Sequence, residues 1–355
     1  MSASKGVVVC QDIAKTLEEY LDSLAYDKLF VLVDEHTQVT CLPLVKDIPA
    51  MREAAVFTVP AGDMHKDVEQ LSQIWSFLST QGASRNSILL NLGGGMVTDM
   101  GGFAGATFKR GIRTINVPTT LMASVDAAVG GKTAINFNGL KNEIGSFYPP
   151  LCVLIDCSFL QTLDKDNFLS GYAEMMKHAL IDTLSHCDAI FSLDLGEVPV
   201  NDTLNRLVEA SIAVKERIVA VDPKEEGIRK ALNFGHTVGH ALESLSFVKG
   251  IPLLHGHAVA AGLISELYLS HHCCGFPMSD LSRVVRYIKE YYPPFPFTCD
   301  NYPALYDFMT HDKKNERSII NFTLLASIGD VRINQSIDKE TILSSLDFYR
   351  DSVGT

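Results

Sequence analysis

Three runs of mostly apolar residues lie in the first half of the chain, at positions 29–34, 87–92 and 151–156, and residues 114–120 are a further predicted strand with a hydroxyl pair at its end. Runs of this length without polar alternation are typical of parallel strands that are buried on both faces of a sheet. Near residue 160 the spacing of apolar residues becomes helical, and it stays so almost to the end. We therefore predict an α/β domain over residues 1–160 and an all-α domain over residues 161–355.

The ends of the predicted strands carry residues suited to a nucleotide. The first strand ends at Asp34, which either binds a ribose hydroxyl or caps a turn. The second strand runs into Gly93, Gly94 and Gly95 and then into a helix of small residues, the order that a dinucleotide pyrophosphate needs. The spacing is not GxGxxG, and tight strand-to-helix packing would explain a later glycine such as Gly101. Three consecutive turn glycines favour contact with phosphate.

A polar segment follows at residues 124–145, among small and apolar neighbours. Lys132 and Lys141 each have a glycine within two residues, where an ammonium group can approach a phosphate closely. A solvated charged loop is the alternative. Asp63 and Lys66 lie near the start of a helix predicted over residues 67–78, and taken alone they indicate only a helix cap.

His236 and His240 are four residues apart in a predicted helix, so both imidazoles project from one face. Two neutral ring nitrogens can bind a zinc-type ion if a third ligand is present, and His255 or Glu174 could supply it. One carboxylate with two imidazoles would leave coordination positions open, which suits a catalytic site. A histidine pair at this spacing is more often part of a core or a surface. Polar residues at positions 215, 229 and 233 favour a site instead.

Composition limits the partners and the compartment. A chain of 355 residues exceeds what one hydrophobic core usually supports, in agreement with two domains. The net charge of −12 argues against nucleic acid or an anionic membrane as the main partner. The eight cysteines form no CxxC pair, which indicates a reducing compartment and argues against a cysteine zinc site. Without a signal pattern or a membrane-spanning run, a cytoplasmic protein is expected.

Several segments follow one another along the chain: GGGMVTDMGGF, PTTLMASVDAAVGGKTAIN, GLKNEIGSFYPP, GYAEMMKH, EEGIRKALNFGHTVGHALE and HGHAVAAG. Together they resemble the motifs of the 3-dehydroquinate synthase family, in the family's order and over nearly the whole chain. The resemblance implies a Rossmann-like NAD-binding α/β domain, an all-α metal-binding domain and a homodimer. It also implies conversion of 3-deoxy-D-arabino-heptulosonate 7-phosphate into 3-dehydroquinate and phosphate, in the shikimate pathway towards chorismate and the aromatic amino acids.

The implied reaction is redox-neutral. NAD takes up a hydride, phosphate leaves by β-elimination, the hydride returns, and an intramolecular aldol closure completes the product. A divalent metal, Zn²⁺ or Co²⁺, would polarise the substrate hydroxyl. The protein's tasks are then to hold cofactor, metal and phosphate in register and to exclude water.

The resemblance also implies site residues by position. The implied metal ligands are Glu174, His236 and His255, so His240 becomes a substrate contact and the initial pairing of His236 with His240 is revised. The implied substrate-pocket residues are Asp126, Lys132, Asn142, Lys177, Lys215, Glu225, Arg229 and Asn233. The implied phosphate-binding residues are Lys141, one of Lys313 or Lys314, and Arg110 from the neighbouring subunit. The implied NAD contacts are Asp34, Asp63, Lys66, Gly94, Gly95, Asp99, Thr119, Thr120, Phe159, Thr162 and Leu163, with Lys132 and Lys141 beside them.

The chain departs from the family pattern at a few positions. Thr98 replaces a glycine beside the pyrophosphate turn, and Asp63 and Asn167 each replace a glutamate. His257 replaces the usual glutamate shortly after His255. This departure matters most, because a further imidazole near the metal could compete for it.

Two related enzyme classes remain as alternatives. One is a sugar-phosphate cyclase that makes an inosose or a valiolone, and the other is an NAD- and metal-dependent polyol dehydrogenase. Arg229 favours a substrate with a carboxylate, which the neutral sugar phosphates lack. Several lysines directed at a phosphate would have no use in a dehydrogenase. A degenerate nucleotide-binding protein would be expected to have lost metal ligands, and all three are present.

Overall fold

The computed structural model describes residues 6–138, 140–310 and 320–354. The chain divides into two compact units, Met1–Asp164 and Lys165–Thr355. The sequence placed the boundary at residue 160. The turn Cys157–Thr162 belongs with the first unit, because Phe159 is fully buried in that unit's hydrophobic core.

The first unit is built on a six-stranded sheet in the order β1-β8-β5-β4-β2-β3, and its neighbouring strands are parallel. These strands are β1 (Gly6–Cys10), β2 (Leu29–Asp34), β3 (Ala55–Val59), β4 (Ile88–Gly93), β5 (Arg113–Pro118) and β8 (Cys152–Asp156). A separate antiparallel hairpin consists of β6 (Lys132–Phe137) and β7 (Leu140–Phe147). The predicted strands correspond to β2, β4, β5 and β8. Strands β1 and β3 were not predicted; they are the edge strands and are less completely buried.

Helices cover both faces of this sheet. They are α1 (Ile13–Asp22), α2 (Glu35–Thr40), α3 (Pro49–Arg52), α4 (Val68–Thr80) and α5 (Gly95–Thr107). Along β2, Val31 and Val33 pack into one core, and Phe30 and Leu32 pack into the other. Because successive strand residues point to opposite faces, a strand covered on both sides must be apolar throughout. This explains the unbroken apolar runs.

Strand order creates a crevice at one edge of the sheet. The chain passes from β2 outward to β3, returns to β4 on the other side of β2, and then continues away through β5. The connections that follow β2 and β4 therefore leave in opposite directions. In open parallel sheets such a switch point, at the carboxyl ends of the strands, is where ligands bind.

The second unit is mainly helical. Its helices are α6 (Lys165–Leu180), α7 (Leu184–Ile190), α8 (Asp202–Val221), α9 (His236–Val248), α10 (His255–Cys274), α11 (Met278–Tyr291), α12 (Tyr302–Thr310) and α13 (Lys339–Val353). An antiparallel hairpin of β9 (Asn321–Ser327) and β10 (Asp330–Ser336) accompanies them, which the all-α description omitted. Leu324 and Leu325 of β9 are buried, and the strand packs against α10.

Helix α10 is the centre of the second unit, and glycines allow its neighbours to approach it closely. A Cβ atom on Gly256 would lie 1.8 Å from the backbone oxygen of Ser170 in α6. A Cβ atom on Gly262 would lie 2.1 Å from the backbone oxygen of Gly235, just before α9. Only glycine permits such contacts. They bring α6 and the start of α9 close against α10.

Candidate active site

Three side chains meet where α6, α9 and α10 come together. Glu174 lies in α6 and is fully buried, while His236 and His255 are the first residues of α9 and α10. The Nε2 atoms of both histidines are 3.4 Å from Oε1 of Glu174. Among the described residues this buried oxygen accepts no hydrogen bond. Because buried carboxylate oxygens are normally satisfied, convergence of two imidazole nitrogens on this one fits a divalent cation between them.

The second nitrogen of each ring fixes its orientation. Nδ1 of His236 lies 3.0 Å from the backbone oxygen of Phe234, and Nδ1 of His255 lies 3.2 Å from Oε2 of Glu243. Histidines that bind metals usually donate their other ring N–H to a carbonyl or a carboxylate in this way. Both Nε2 atoms thereby face Glu174.

His240 belongs to the same cluster. Its ring centroid is 5.3 Å from that of His236 and 5.6 Å from that of His255. One ligand atom of each of the three histidines lies within 4.8 Å of the others. Proximity alone therefore does not separate a three-histidine site from the Glu174, His236 and His255 site.

Charge in this cluster favours a cation. Burial opposes ionisation of Glu174, but the Lys177 ammonium, which donates to Oε2, and the nearby His236 hold the pKa of Glu174 well below its usual range. Loss of water also opposes protonation of His255, yet the carboxylates of Glu243 and Glu174 raise its pKa to about 10. The position between these two carboxylates therefore stabilises positive charge.

His257 lies apart from this cluster. Its Nε2 is 3.2 Å from the backbone oxygen of Asp166, and its ring packs edge-to-face against Tyr292 at 5.4 Å. Within the described parts of the chain, the candidate metal-binding groups do not contain His257. Its ring is held by contacts away from the cluster, and competition of His257 for the metal stays a prediction.

A second group of predicted residues lies between α8 and α9. The Asp222 carboxylate accepts hydrogen bonds from the backbone N–H groups of Gly227 and Arg229, at 2.7 and 3.0 Å. These bonds hold the loop before the 3₁₀ turn Ile228–Asn233, in which Nδ2 of Asn233 donates to Oε1 of Glu225 at 2.7 Å.

Two basic side chains of this region are buried. Arg229 is 1% exposed, and its guanidinium donates to the backbone oxygen of Pro223 at 2.6 Å. Lys215 lies in α8 and is buried as well. The 3₁₀ turn packs against α8, so the chain reverses direction between Lys215 and Arg229.

In the first unit, the predicted NAD contacts gather at the carboxyl edge of the sheet. Asp34 ends β2, the glycine turn follows β4, and Thr119 and Thr120 follow β5. Gly93 pairs with Pro118 across β4 and β5, and its oxygen accepts a bond from the Thr119 N–H at 3.0 Å. Thr162 and Leu163 lie at the end of the turn that follows β8. Phe159 is fully buried in the core, so any cofactor contact there would use its backbone.

The glycine turn leaves little room for side chains. Gly94 caps α5, and a Cβ atom on Gly94 or Gly95 would lie 3.0 Å from Thr120 or 3.1 Å from Ala127. Further along the helix, a Cβ atom on Gly101 would lie 1.9 Å from Oδ1 of Asn91. Packing thus explains Gly101, and the turn leaves the backbone N–H groups at the start of α5 close to the sheet edge.

Asp34 acts as a cap in the structure. Its Oδ1 accepts bonds from the backbone N–H groups of His36 and Thr37 at 2.9 and 2.8 Å. This is the turn-capping alternative. A ribose contact at Asp34 stays a prediction.

Several predicted residues form one polar network beside the hairpin. Nζ of Lys66 lies 2.5 Å from Oδ2 of Asp99 and 2.5 Å from Oδ1 of Asn142. Nζ of Lys141 lies 3.2 Å from Oδ2 of Asp63. The segment that could have been a solvated loop is instead the hairpin β6–β7, which brings predicted cofactor, substrate and phosphate contacts together.

Backbone strain marks three predicted residues. Arg110, Asn142 and Glu225 have φ values of 67°, 51° and 64°. Non-glycine residues seldom adopt this left-handed conformation, and strained backbone clusters at functional sites. Asp126 lies in a single π-helical turn, Ala123–Ala127, a feature that is also frequent at functional sites.

The remaining predicted site residues are three lysines. Lys132 is the exposed first residue of β6. Lys313 and Lys314 lie outside the described residues. Asp222 and Glu243 were not predicted as candidate site residues. Glu243 could have been found, since it lies two helical turns after His236 and so on the same face of α9.

Solved structures share this fold. ValA, a 2-epi-5-epi-valiolone synthase from Streptomyces hygroscopicus with NAD⁺ and Zn²⁺ bound, matches with a TM-score of 0.87 and 23% identity, covering 98% of this chain and 97% of its own. A 2-deoxy-scyllo-inosose synthase matches with a TM-score of 0.83 and 20% identity, over 97% of this chain and 96% of its own. A probable glycerol dehydrogenase from Sinorhizobium meliloti matches at 0.68 and 13%, over 99% and 98%. These likenesses show a fold that also occurs in a valiolone synthase, an inosose synthase and a probable glycerol dehydrogenase.

Sequence comparison identifies the family to which the chain belongs. The 3-dehydroquinate synthase N-terminal and C-terminal models match residues 56–170 and 171–315. A 3-dehydroquinate synthase from Parabacteroides distasonis is 67% identical over 100% of both chains, and one from Clostridium tetani is 34% identical over 94% of this chain and 88% of its own. The chain belongs to the 3-dehydroquinate synthase family.

This membership confirms the predicted family, the fold class and the activity, that of a carbon–oxygen lyase. The inosose, valiolone and polyol dehydrogenase alternatives are not favoured. A search of the described helices found none with the length and hydropathy needed to cross a bilayer.

Proposed function

We propose that the chain converts 3-deoxy-D-arabino-heptulosonate 7-phosphate into 3-dehydroquinate and phosphate in the cytoplasm, with NAD and one divalent metal ion, Zn²⁺ or Co²⁺. The observation that carries this proposal is 67% identity over the whole chain to a 3-dehydroquinate synthase, joined to the cluster of Glu174, His236 and His255. The named solved neighbours that bind NAD⁺ with Zn²⁺ or Co²⁺ support the choice of cofactors.

The metal would be held by Glu174, His236 and His255, with His240 left to contact the substrate. Once bound, it would polarise a substrate hydroxyl and lower the pKa of that group. Lys177 keeps Glu174 ionised and directs Oε1 at the two histidines. The hydrogen bonds that Nδ1 of His236 and of His255 donate fix the orientation of both rings.

The carboxyl edge of the sheet would hold NAD. The backbone N–H groups around Gly94 and Gly95 would bind the pyrophosphate, and residues after β2, β5 and β8 would contact the rest of the cofactor. Bound NAD would accept and return one hydride, so that it is not consumed. The network of Lys66, Asp99 and Asn142 links this edge to the hairpin and fixes Asn142 for the substrate.

Arg229 would bind the substrate carboxylate. Its guanidinium is held by the bond to Pro223, and a rigid fork loses little conformational freedom when it pairs with a planar carboxylate. Lys141, Lys313 or Lys314, and Arg110 would bind the phosphate.

We also propose a homodimer in which Arg110 reaches the partner's site. Arg110 is exposed and lies in a strained turn. The hairpin β6–β7 exposes large apolar side chains in this chain, with Leu140 57% and Phe147 54% exposed. Such a surface is typical of an interface. Light scattering should give a dimer for the wild type, and a Leu140→Asp monomer that keeps full turnover would contradict the role of Arg110.

The direct test offers heptulosonate 7-phosphate, glucose 6-phosphate and sedoheptulose 7-phosphate in parallel to the purified chain, with NAD and zinc, while phosphate release is followed. We expect release from the heptulosonate alone, with no net NADH. Consumption of a neutral sugar phosphate instead, or NADH formed in proportion to product, would overturn the proposal.

A further inference from the structure

Glu243 is a buried carboxylate that lies next to the candidate metal site. It projects from α9, and its Oε2 is 3.2 Å from Nδ1 of His255. On the other side of the ring, Nε2 of His255 faces Oε1 of Glu174 at 3.4 Å. His255 therefore lies between two carboxylates that contact opposite edges of the ring.

The two ring nitrogens have different requirements. A neutral imidazole carries one proton, and the nitrogen without it is the one that can bind a metal. A carboxylate that accepts from Nδ1 keeps the proton there and leaves the lone pair on Nε2. Without such an acceptor, the opposite tautomer would place a hydrogen where the metal belongs.

The two candidate histidine ligands are held by different means. His236 donates from Nδ1 to the backbone oxygen of Phe234, an acceptor that no substitution removes, and its side chain is only 9% exposed. His255 depends on a side-chain acceptor, and its own side chain is 33% exposed. Packing therefore restrains His255 much less than His236, so its orientation depends more on the hydrogen bond to Glu243.

We infer that Glu243 is a positioning residue for this site: it sets the tautomer and the ring orientation of His255 so that Nε2 can bind the divalent metal. This inference rests on the proposed metal site of the function above. Glu266 offers a contrast, because that buried carboxylate accepts from the backbone N–H groups of Gly235 and Val238 at 2.6 and 2.9 Å. Glu266 thus holds the start of α9 and contacts no ring nitrogen of the cluster through these bonds.

The experiment compares metal affinity with stability in the full-length chain. Glu243→Ala, Glu243→Gln and the wild type are stripped of metal, and Zn²⁺ and Co²⁺ are titrated against a chromophoric chelator. We expect Glu243→Ala to bind either metal about 10–100-fold more weakly, as is common when an outer hydrogen-bond partner of a ligand is removed. The Gln variant should lose less, because its amide oxygen can still accept from Nδ1. The visible absorption of the Co²⁺ form should change in the Ala variant.

Ser270→Ala is the matched control. Ser270 is also buried, in α10, and its hydroxyl accepts from the Leu325 N–H at 3.0 Å far along the helix from His255. This variant should lower the thermal midpoint of the metal-free protein and leave the metal Kd unchanged. A purely structural role for Glu243 would give the same result as Ser270→Ala.

The outcomes are distinct. If Glu243→Ala folds and binds both metals with the wild-type Kd, the inference is wrong while the proposed metal site stands. If the Ala variant does not fold, the near-isosteric Gln variant decides, since it must still show weaker metal binding with an unchanged thermal midpoint. A wild-type chain that binds neither metal would overturn the proposed metal site and this inference together.

Discussion

The two candidate ligand-binding regions, one in each unit, are built by different means. At the carboxyl edge of the sheet, the predicted residues occupy turns after β2, β4, β5 and β8, and much of what they offer is backbone. In the second unit, Glu174, His236 and His255 are side chains brought together by three packed helices. A sheet edge follows from strand order alone, whereas the cluster depends on the close packing around α10. A substitution in the first region should therefore act locally, and one in the second should act on metal binding and stability together.

The largest expected effect is on the buried cluster. His236→Ala removes a candidate ligand, so metal binding and turnover should both fall by more than about 100-fold, beyond the loss usual for an outer partner of a ligand. Metal content by mass spectrometry and phosphate release would measure this.

His186→Ala is the matched control for that change. His186 is a buried histidine in α7 that bonds to Asp182 at 3.1 Å, and it lies outside the cluster. It should cost stability while metal content stays at one per chain. Stoichiometric metal and full turnover in His236→Ala would remove His236 from the ligand set.

The elements and site residues of the first region could be predicted from the sequence more completely than those of the second. Unbroken apolar runs fixed the central strands, and whatever follows a parallel strand must lie at its carboxyl edge. The hairpin β6–β7 was missed because its exposed strand β7 lacks an apolar repeat. In the helical unit, spacing suggested His236 with His240, but spacing cannot show that Glu174 approaches from α6. The bond between Glu243 and His255 also joins two helices, and no local pattern encodes it.

The next largest effect is expected on the turnover of the substrate. Arg229→Lys keeps the positive charge but loses the planar fork, which contributes about 1.5–3 kcal/mol per charged hydrogen bond. We expect turnover of the heptulosonate phosphate to fall by about 10–100-fold. Arg217→Lys, in the exposed pair with Asp182, is the control and should leave kcat/KM unchanged. Equal rates for the wild type and Arg229→Lys would show that Arg229 has only a structural role.

A pair of glycine substitutions separates packing from ligand contact in the first unit. Gly101→Ala would place Cβ 1.9 Å from Oδ1 of Asn91, whose amide is held by Asn116, so overpacking should lower the free energy of unfolding by about 1–3 kcal/mol. Gly94→Ala meets only the end of the Thr120 side chain, at 3.0 Å, and has an ordinary φ of −72°. It should be nearly neutral for stability and should weaken NAD binding. Chemical denaturation would measure the stability of both variants, and titration with NAD would measure their affinity for the cofactor. A stability loss in Gly94→Ala with unchanged NAD affinity would contradict the prediction.

The smallest effect is expected at His257. Its Nε2 is 3.2 Å from the backbone oxygen of Asp166, and its ring packs against Tyr292. In His257→Gln the amide can still donate to that oxygen, while the edge-to-face ring contact is lost, at a cost of about 0.5–1.5 kcal/mol. Metal Kd and kcat should match those of the wild type. If His257 instead competed with His236 or His255 for the ion, it would give the metal a second, unproductive way to bind. Removing it would then weaken apparent metal binding and raise kcat. Either change would show that the ring leaves its contact with Asp166 when the metal binds.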